Sequence, residues 1–447
     1  MCAALRVVQA FRPVLHAMPR TFYAVLLACA AAVYAVAGSR AADEGALSGT
    51  FTDWSRHPAI AYSAQASHDP VGEVSQQLRD GKLSLRRDGT SGYLRSVLDA
   101  LHVPVESQIV IFNPDSVQGR RITPANPRSL FFNDRVAVGW VRGGFIELAA
   151  QDPSQGVVFY TLEQAFIGQP HFQRNDGCLT CHYSYGSAGV PGMLARSTQQ
   201  FNVTHRLPIE KRWGGWYVTG NLGAARHLGN IDIKRLFDDA PPSNTLNWPS
   251  LQGKFDLDGY LSPYSDVVAL MIFDHQMHMM NLLSRIGWEA RVADYRRGKS
   301  EERLRADGDD PADTPVPLDA AAREVVDYML FVDEAPLLGR IRGSSGFAEQ
   351  FAATGPRDRQ GRSLRDFDLE RRTFRYPLSY MIYSPLFDSL PAAARDAIYA
   401  RLFDVLSGKD RSRAYARLSA ADRTAVVDIL KDTRSVLPAY FTLSPRR

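Results

Sequence analysis

The sequence predicts an α+β protein, with a β-rich N-terminal half and a mainly α-helical C-terminal half. Short apolar segments with alternating or continuous patterns recur between residues 107 and 162, as expected of strands. From residue 263 onward, apolar residues recur three and four positions apart, as expected of helices. Hydrophobic residues make up 45% of the 447 positions and charged residues 22%, and these proportions favour a globular chain over a disordered or coiled-coil one.

The first 41 residues have the pattern of a secretory signal peptide. They contain four arginines and no acidic residue, and an uncharged apolar run occupies residues 21–38. Small residues at positions 39 and 41 predict cleavage after Ala41. Because about 20 apolar residues span a bilayer, the alternative is an uncleaved membrane anchor. In both cases we expect the mature chain in the periplasm or another exported location.

The formal net charge of +4 comes entirely from this segment. Removing its four arginines from the 52 basic residues leaves 48, which equals the 48 acidic residues. A mature chain without net charge gives no indication of a nucleic-acid partner.

Four apolar segments predict the strands of the N-terminal region, residues 42–165. Residues 108–112 read QIVIF, and residues 157–162 read VVFYTL. Between them, residues 135–141 and 145–149 are joined through two glycines, which predicts a β-hairpin. We expect this meander to support one side of the site that follows it in the chain.

The mature chain keeps only two cysteines, and they belong to one motif. Cys178 and Cys181 are followed directly by His182, which gives the C-x-x-C-H spacing by which c-type haem is attached. Each thiol can form a thioether with one haem vinyl group, and the adjacent imidazole then lies beneath the iron as an axial ligand. A thioredoxin-like redox pair and a structural disulfide remain alternatives, whereas a zinc site normally has four ligands.

At these three residues and their immediate loop, the chain resembles c-type cytochromes. The resemblance implies one covalent haem c per chain, His182 as the proximal iron ligand, and a role in electron transfer or haem-dependent redox chemistry. The resemblance does not extend to the fold, because about 136 mature residues precede Cys178 and no methionine lies between Met193 and Met271. Compact all-α cytochrome c domains carry the motif near their start, so we expect a different architecture here.

The sixth iron position has several candidate ligands, and a long helix predicted at residues 264–297 carries two of them. His275 lies on its apolar stripe, and His278 lies one turn away near the edge of that stripe. His275 is the first candidate, and Asp274 or Asn281 can orient a neighbouring imidazole. Core histidines are the alternative interpretation. We expect this helix to close the haem pocket.

Further candidates lie in the loop-rich haem-binding region, residues 166–298. Met193 follows a Pro-Gly turn eleven residues after His182, and such a segment can reach around the edge of a haem. His227 follows a glycine-rich loop, and the neighbouring Arg226 suits a haem propionate. The weaker candidates are His171 and His205, with Tyr183 and Tyr185 expected to pack on the porphyrin.

The C-terminal region, residues 319–447, is predicted to be helical. Its helices are expected at residues 320–333, 391–406 and 420–434. A polar connector, residues 299–318, precedes it and is predicted to be a mobile surface loop.

Together these features predict an exported monohaem protein that transfers electrons or carries out haem-dependent redox chemistry. The expected partner is a redox protein or a small oxidant. An open sixth position would suit a peroxidase-like oxidoreductase, whereas a histidine there suits electron transfer. Two alternatives remain: a haem-based sensor or binding module, and a thiol–disulfide protein that uses the cysteine pair.

Overall fold

An antiparallel sheet lies in the N-terminal half of the chain. The computed structural model describes residues 52–164, 169–198, 202–237 and 247–442. The strands are β1 (Ile109–Ile111), β2 (Arg128–Phe132), β3 (Val136–Trp140), β4 (Ile146–Asp152), β5 (Gly156–Leu162), β6 (Gln173–Arg174) and β7 (Trp216–Tyr217). They form one seven-stranded sheet with the order β6-β5-β4-β3-β2-β1-β7, in which every neighbouring pair is antiparallel.

Helices dominate the C-terminal half, so the predicted α+β class is confirmed. The α-helices of the described residues are α1 (Pro70–Arg79), α2 (Leu94–Ala100), α3 (Leu179–His182), α4 (Val267–Arg296), α5 (Glu301–Ala306), α6 (Leu318–Met329), α7 (Phe347–Ala353), α8 (Pro385–Asp388), α9 (Ala392–Leu406) and α10 (Ala420–Thr433). The long predicted helix and the two C-terminal ones lie where the sequence patterns placed them, within a few residues.

The predicted strands are present, and β2 and β6 are additional strands that the sequence patterns did not reveal. Strand β2 follows a proline-containing segment and ends at Phe132. The side-chain oxygen of the next residue, Asn133, accepts hydrogen bonds from the N–H groups of Arg135 and Val136, both at 2.9 Å. This local cap makes the tight turn into β3. The predicted hairpin between β3 and β4 is also present, and Gly143 in its turn has φ +78°, a conformation that glycine adopts without a steric penalty.

The two faces of the sheet differ because side chains alternate along each strand. One face carries Val138, Trp140 and Leu148 into the main hydrophobic core, where they pack with residues of α1 and α2. The other face is less covered, and Arg128 and Glu147 are only half-buried there. The C-x-x-C-H segment lies on this second face.

Helix α4 is the central element of the second half. Twenty-four of its 30 residues are buried, so the helix is covered on all sides rather than along one stripe. Asp266 caps its N-terminus by accepting hydrogen bonds from the N–H groups of Val268 (2.8 Å) and Ala269 (3.1 Å). The other carboxylate oxygen of Asp266 accepts the N–H groups of Ser344 and Ser345, which ties the distant 344–345 segment to the helix start.

The polar connector is more ordered in its packing than the sequence suggested. It begins with helix α5, and Asp309 beyond that helix is buried. The Asp309 carboxylate pairs with Arg296 at the end of α4 and lies 3.1 Å from Nε2 of His57. The segment predicted to be a mobile surface loop therefore contains helix α5 and is attached to α4 by one buried ion pair, while most of its other residues are exposed or half-buried.

The described residues from Thr52 onward belong to one compact unit. The regions that the sequence divides at residues 165, 298 and 318 are therefore segments of that unit. No helix in the described ranges is both long and apolar enough to cross a membrane. The predicted signal peptide or anchor, residues 1–41, lies outside the described residues.

Replacing Asp266 with alanine should lower the free energy of unfolding by about 2 to 4 kcal/mol. The change removes the cap of α4 and also leaves the N–H groups of the 344–345 segment without an acceptor. Ser419→Ala is the matched control, because Ser419 caps α10 at an exposed position and should cost only about 1 kcal/mol. Urea unfolding of both variants measures the difference, and equal losses would contradict the bridging role of Asp266.

Candidate functional site

The C-x-x-C-H segment forms a short helical stretch. A 3₁₀ turn, Asp176–Cys178, continues into α3, and the side-chain oxygen of Asn175 accepts the N–H of Gly177 at 3.1 Å. Residues three and four positions apart share one side of a helix, so the two cysteines and His182 lie on the same side. Both thiols are free; Cys178 is half-buried and Cys181 is exposed.

The imidazole of His182 is held in one orientation by the backbone. Its Nδ1 lies 3.0 Å from the carbonyl oxygen of Gly192. Since a carbonyl only accepts, Nδ1 carries the proton and Nε2 keeps its lone pair. Burial lowers the pKa of His182, which keeps the ring neutral. Among the described residues, Nε2 has no hydrogen-bond partner, and the Phe159 ring packs beside the imidazole at a centroid distance of 4.9 Å.

The segment that follows His182 folds back against it. The N–H of Gly192 donates to the carbonyl of His182 at 2.9 Å, and Tyr183 forms an antiparallel bridge with Pro191. Together with the Nδ1 contact, these interactions fix the Gly192 carbonyl at the Nδ1 edge of the ring. In a metal-ligating histidine, the ring nitrogen that does not bind the metal usually donates a hydrogen bond that orients the ring. Nδ1 of His182 makes such a contact with the Gly192 carbonyl.

Helix α4 holds this returning segment through Asn281. The Asn281 side-chain amide donates to the carbonyl of Met193 at 2.8 Å, and both residues are buried. Gly192 lies directly against the same side chain, because a Cβ built on Gly192 would be only 2.8 Å from Cγ of Asn281. Only glycine therefore fits at this position without moving the amide.

Charged groups surround the motif on the open face of the sheet. Arg128 of β2 pairs with Glu147 of β4 at 2.7 Å, and Arg196 pairs with Asp115 at 2.6 Å. Both arginines lie close enough to lower the pKa of His182, and Glu147 acts in the opposite direction. The register places Gly139 of β3 between β2 and β4, opposite Glu147, so a small residue separates the two strands at this point.

The Cys178 thiol is a poor nucleophile in this environment. Burial raises its pKa to about 11, and the neighbouring Glu147 and Cys181 add to the shift. A redox-active cysteine pair needs a lowered thiol pKa, because the thiolate is the reactive species.

His275 does not lie at the motif. Its Nε2 is 2.8 Å from the Ser379 hydroxyl, and its Nδ1 is 2.9 Å from Nδ1 of His205. The ring is fully buried and stacks on Tyr328 at a centroid distance of 5.2 Å with an interplanar angle of 3°. His275 therefore shares no contact with the motif, and its position gives no support to its predicted role as sixth ligand. It is a core histidine with both ring nitrogens engaged, which was the alternative interpretation.

His278 and His205 belong to the same cluster. Nδ1 of His278 lies 3.1 Å from the side-chain amide of Asn202, and its ring meets Tyr328 edge-on. Nε2 of His205 is buried without a hydrogen-bond partner among the described residues. We refer to His205, His275 and His278 as the histidine cluster. It lies on the side of α4 that faces α6. The segment that follows the motif instead contacts α4 at Asn281.

The structure also separates His227 and Arg226 from the motif. Nδ1 of His227 accepts the N–H of Gly229 at 3.0 Å, and the buried ring contacts Trp213. None of these contacts is shared with His182. Arg226 is exposed in the same turn. The predicted haem contacts of these two residues are therefore not supported by their positions.

The remaining predicted residues lie closer to the motif. Met193 is buried directly after Gly192, and His171 is exposed ahead of β6. The hydroxyl of Tyr183 donates to Asp53, whereas Tyr185 is 53% exposed. Of the two residues expected to orient an imidazole, Asn281 acts on the returning segment, and Asp274 instead accepts the indole N–H of Trp213 at 3.1 Å.

Sequence reasoning missed the charged residues of the sheet face and the role of Gly192. No sequence motif contains Arg128, Glu147 or Arg196. Strand register and loop packing place these side chains near the site. The Pro-Gly pair before Met193 predicted a turn, which is a signal for Gly192 but not for its contact with His182.

Comparisons with family models, with curated proteins and with solved structures found no match to this chain. The described residues contain no group of three or more histidine, cysteine, aspartate or glutamate side chains arranged to hold a bare metal ion. The geometry of the C-x-x-C-H segment therefore carries the functional argument.

Replacing Gly192 with alanine should destabilise the returning segment. The new methyl group would overlap the Asn281 amide, and relief requires moving either the helix side chain or the carbonyl that orients His182. We expect a loss of about 1 to 3 kcal/mol in the free energy of unfolding. Gly72→Ala in α1 is the control, because its nearest neighbours would be at 3.5 Å or more. Equal stability of the two variants in urea unfolding would contradict this packing.

The histidine cluster should make the protein sensitive to acid. Burial lowers the pKa values of His275 and His278 to about 3, below the usual value near 6.5. The unfolded chain therefore binds more protons, and stability is lost as the pH falls from about 6.5 toward 3. Each histidine contributes a slope of about 1.4 kcal/mol per pH unit within that window.

In the His275→Gln variant, the unfolding free energy should fall less steeply between pH 6 and pH 4.5. The slope should be smaller by about 1.4 kcal/mol per pH unit, which is the contribution of one proton bound on unfolding. His68→Gln, at an exposed position, is the control and should follow the parent protein. Urea unfolding at four pH values measures both slopes. A His275→Gln slope equal to that of the parent would show that His275 is not neutral in the folded state.

Proposed function

We propose that this protein is an exported monohaem c-type protein that transfers electrons or carries out haem-dependent redox chemistry. The observation that carries the proposal is the state of His182, whose Nδ1 is fixed by the Gly192 carbonyl while Nε2 has no partner among the described residues. This is the arrangement that an iron-ligating imidazole requires, because the hydrogen bond at Nδ1 sets the tautomer and directs Nε2 to the metal.

The residues of the segment fit a covalent haem. The two free thiols and His182 share one side of a helical turn, so both sulfurs and the imidazole can address the same macrocycle. In this proposal Cys178 and Cys181 hold the haem c by thioethers, and His182 ligates the iron. When bound, the haem supplies an iron that exchanges single electrons and binds small ligands.

The charged groups beside the motif support the proposal. Guanidinium groups bind carboxylates well, and Arg128 and Arg196 both lie near His182. Each now pairs with a carboxylate of the protein, Glu147 or Asp115, and either can pair with a haem propionate instead. These two arginines replace Arg226 as the candidate propionate partners.

Exposure of the motif favours electron exchange with a partner. Cys181 is exposed, and Tyr185 just beyond it is 53% exposed. A haem attached at this position would have one edge near the surface, where a redox protein or a small oxidant can reach it. Haem attachment of this kind belongs to oxidising, exported compartments, which agrees with the secretory signal predicted for residues 1–41.

The alternative of a thiol–disulfide protein is disfavoured by a specific observation. Its attacking cysteine would have to be a thiolate near neutral pH, whereas burial raises the pKa of Cys178 to about 11. Helix α3 has only four residues, so its N-terminus does little to stabilise a thiolate.

The test is covalent haem in protein expressed with a haem-attachment system in the periplasm. The purified, denatured and reduced protein should show the pyridine haemochrome band of two thioether bonds. Cys178→Ser and Cys181→Ser should each shift that band toward a single thioether, and the double variant should contain no covalent haem. Thr180→Ser, between the two cysteines, is the control and should mature normally. A parent protein that carries no covalent haem, while a known cytochrome c matures in the same cells, would refute the proposal.

A further inference from the structure

We propose that the protein supplies no sixth iron ligand, and that a small exogenous molecule takes this position. The ligand class is a diatomic molecule, peroxide or a small anion such as cyanide. The inference rests on the proposed function and deepens it, because it makes the haem a ligand-binding site and not only an electron carrier. It follows from where the chain places its other imidazoles and thioethers.

Met193 follows a residue whose contacts lie at Nδ1 of His182 and not at Nε2. The carbonyl of Gly192, the residue before it, is bonded to Nδ1, and the N–H of Gly192 is bonded to the His182 carbonyl. An iron bound at Nε2 would lie across the ring from this contact. Asn281 also holds the Met193 carbonyl against α4, so the thioether cannot reach the far side of a haem without breaking these bonds.

The rings of the histidine cluster are packed in the core, and Nε2 of His205 is the buried ring nitrogen there without a hydrogen-bond partner among the described residues. His275 uses both ring nitrogens, and moving its imidazole would leave the Ser379 hydroxyl and His205 without their partner. His278 is tied to Asn202 and packed against Tyr328. If these rings moved to the iron, their stacking in the core would be lost. Their buried hydrogen-bonding partners would be left unsatisfied, which lowers the stability of the protein.

The other histidines and methionines also have positions of their own. His227 is bonded within its turn, and His57 contacts Asp309 in the core. The methionines after Met193 are buried, which applies to Met271, Met277, Met279, Met280, Met329 and Met381. His68, His102 and His171 are exposed. The undescribed stretches after residue 51 contain neither histidine nor methionine.

The charges near His182 are paired. Arg128 pairs with Glu147 and Arg196 pairs with Asp115, so these arginines do not by themselves select an anionic ligand.

The test is the spectrum of the intact haem-loaded protein with carbon monoxide and with cyanide. We expect a high-spin ferric resting spectrum, carbon monoxide binding to the ferrous form, and cyanide binding to the ferric form, each with one ligand per haem. Met193→Leu, His275→Gln, His278→Gln and His171→Ala should leave the resting spectrum unchanged.

Two outcomes would overturn the inference while leaving the proposed function intact. One is a low-spin resting spectrum in a protein with covalent haem that binds neither ligand. The other is a change of spin state in one of the four histidine or methionine variants, which would identify that residue as the sixth ligand. Absence of covalent haem would instead refute the proposed function, and the inference with it.

Discussion

Helix α4 is buried on every side, so each polar side chain that it carries needs a partner inside the protein. Asp266 caps the helix and binds the 344–345 segment, and Gln276 accepts the Tyr380 hydroxyl at 2.6 Å while donating to the carbonyl of Asn133 at 2.7 Å. Near the other end, Glu289 pairs with Arg285 and accepts the N–H of Val316. These contacts fix how the sheet, the connector and the C-terminal helices approach one another, because each buried polar group accepts only a few geometries.

Asn281 is one of the buried polar residues of α4, and its partner belongs to the segment that follows the C-x-x-C-H motif. Its amide holds the returning segment, that segment presents the Gly192 carbonyl, and the carbonyl orients His182. The imidazole of His182 therefore has a defined orientation, although the helix at the motif is only four residues long. The free thiols stay outside this network, which leaves them available for bond formation.

The fold class and most element positions could be predicted from the sequence because they depend on local periodicity. The long helix, the β3–β4 hairpin and the motif all follow from spacing within short windows. His275 shows where such reasoning ends. Its place on an apolar stripe was correctly identified, but periodicity gives only the face of a helix and not the partner that covers it. The partner is His205, 70 residues away in the chain. Arg128 and Arg196 were missed for the same reason.

The sequence by itself determined the α+β class and the chemical content of the candidate site: two mature cysteines, three residues apart, followed by a histidine. Tertiary structure decided which nitrogen of His182 is held, which of the other histidines are engaged elsewhere, and which charges lie beside the motif. These features depend on contacts between residues far apart in the chain, and such contacts are set by the packing of α4 against the sheet and the loops. The spacing of residues in the sequence identifies the motif, but it does not predict how distant segments pack together.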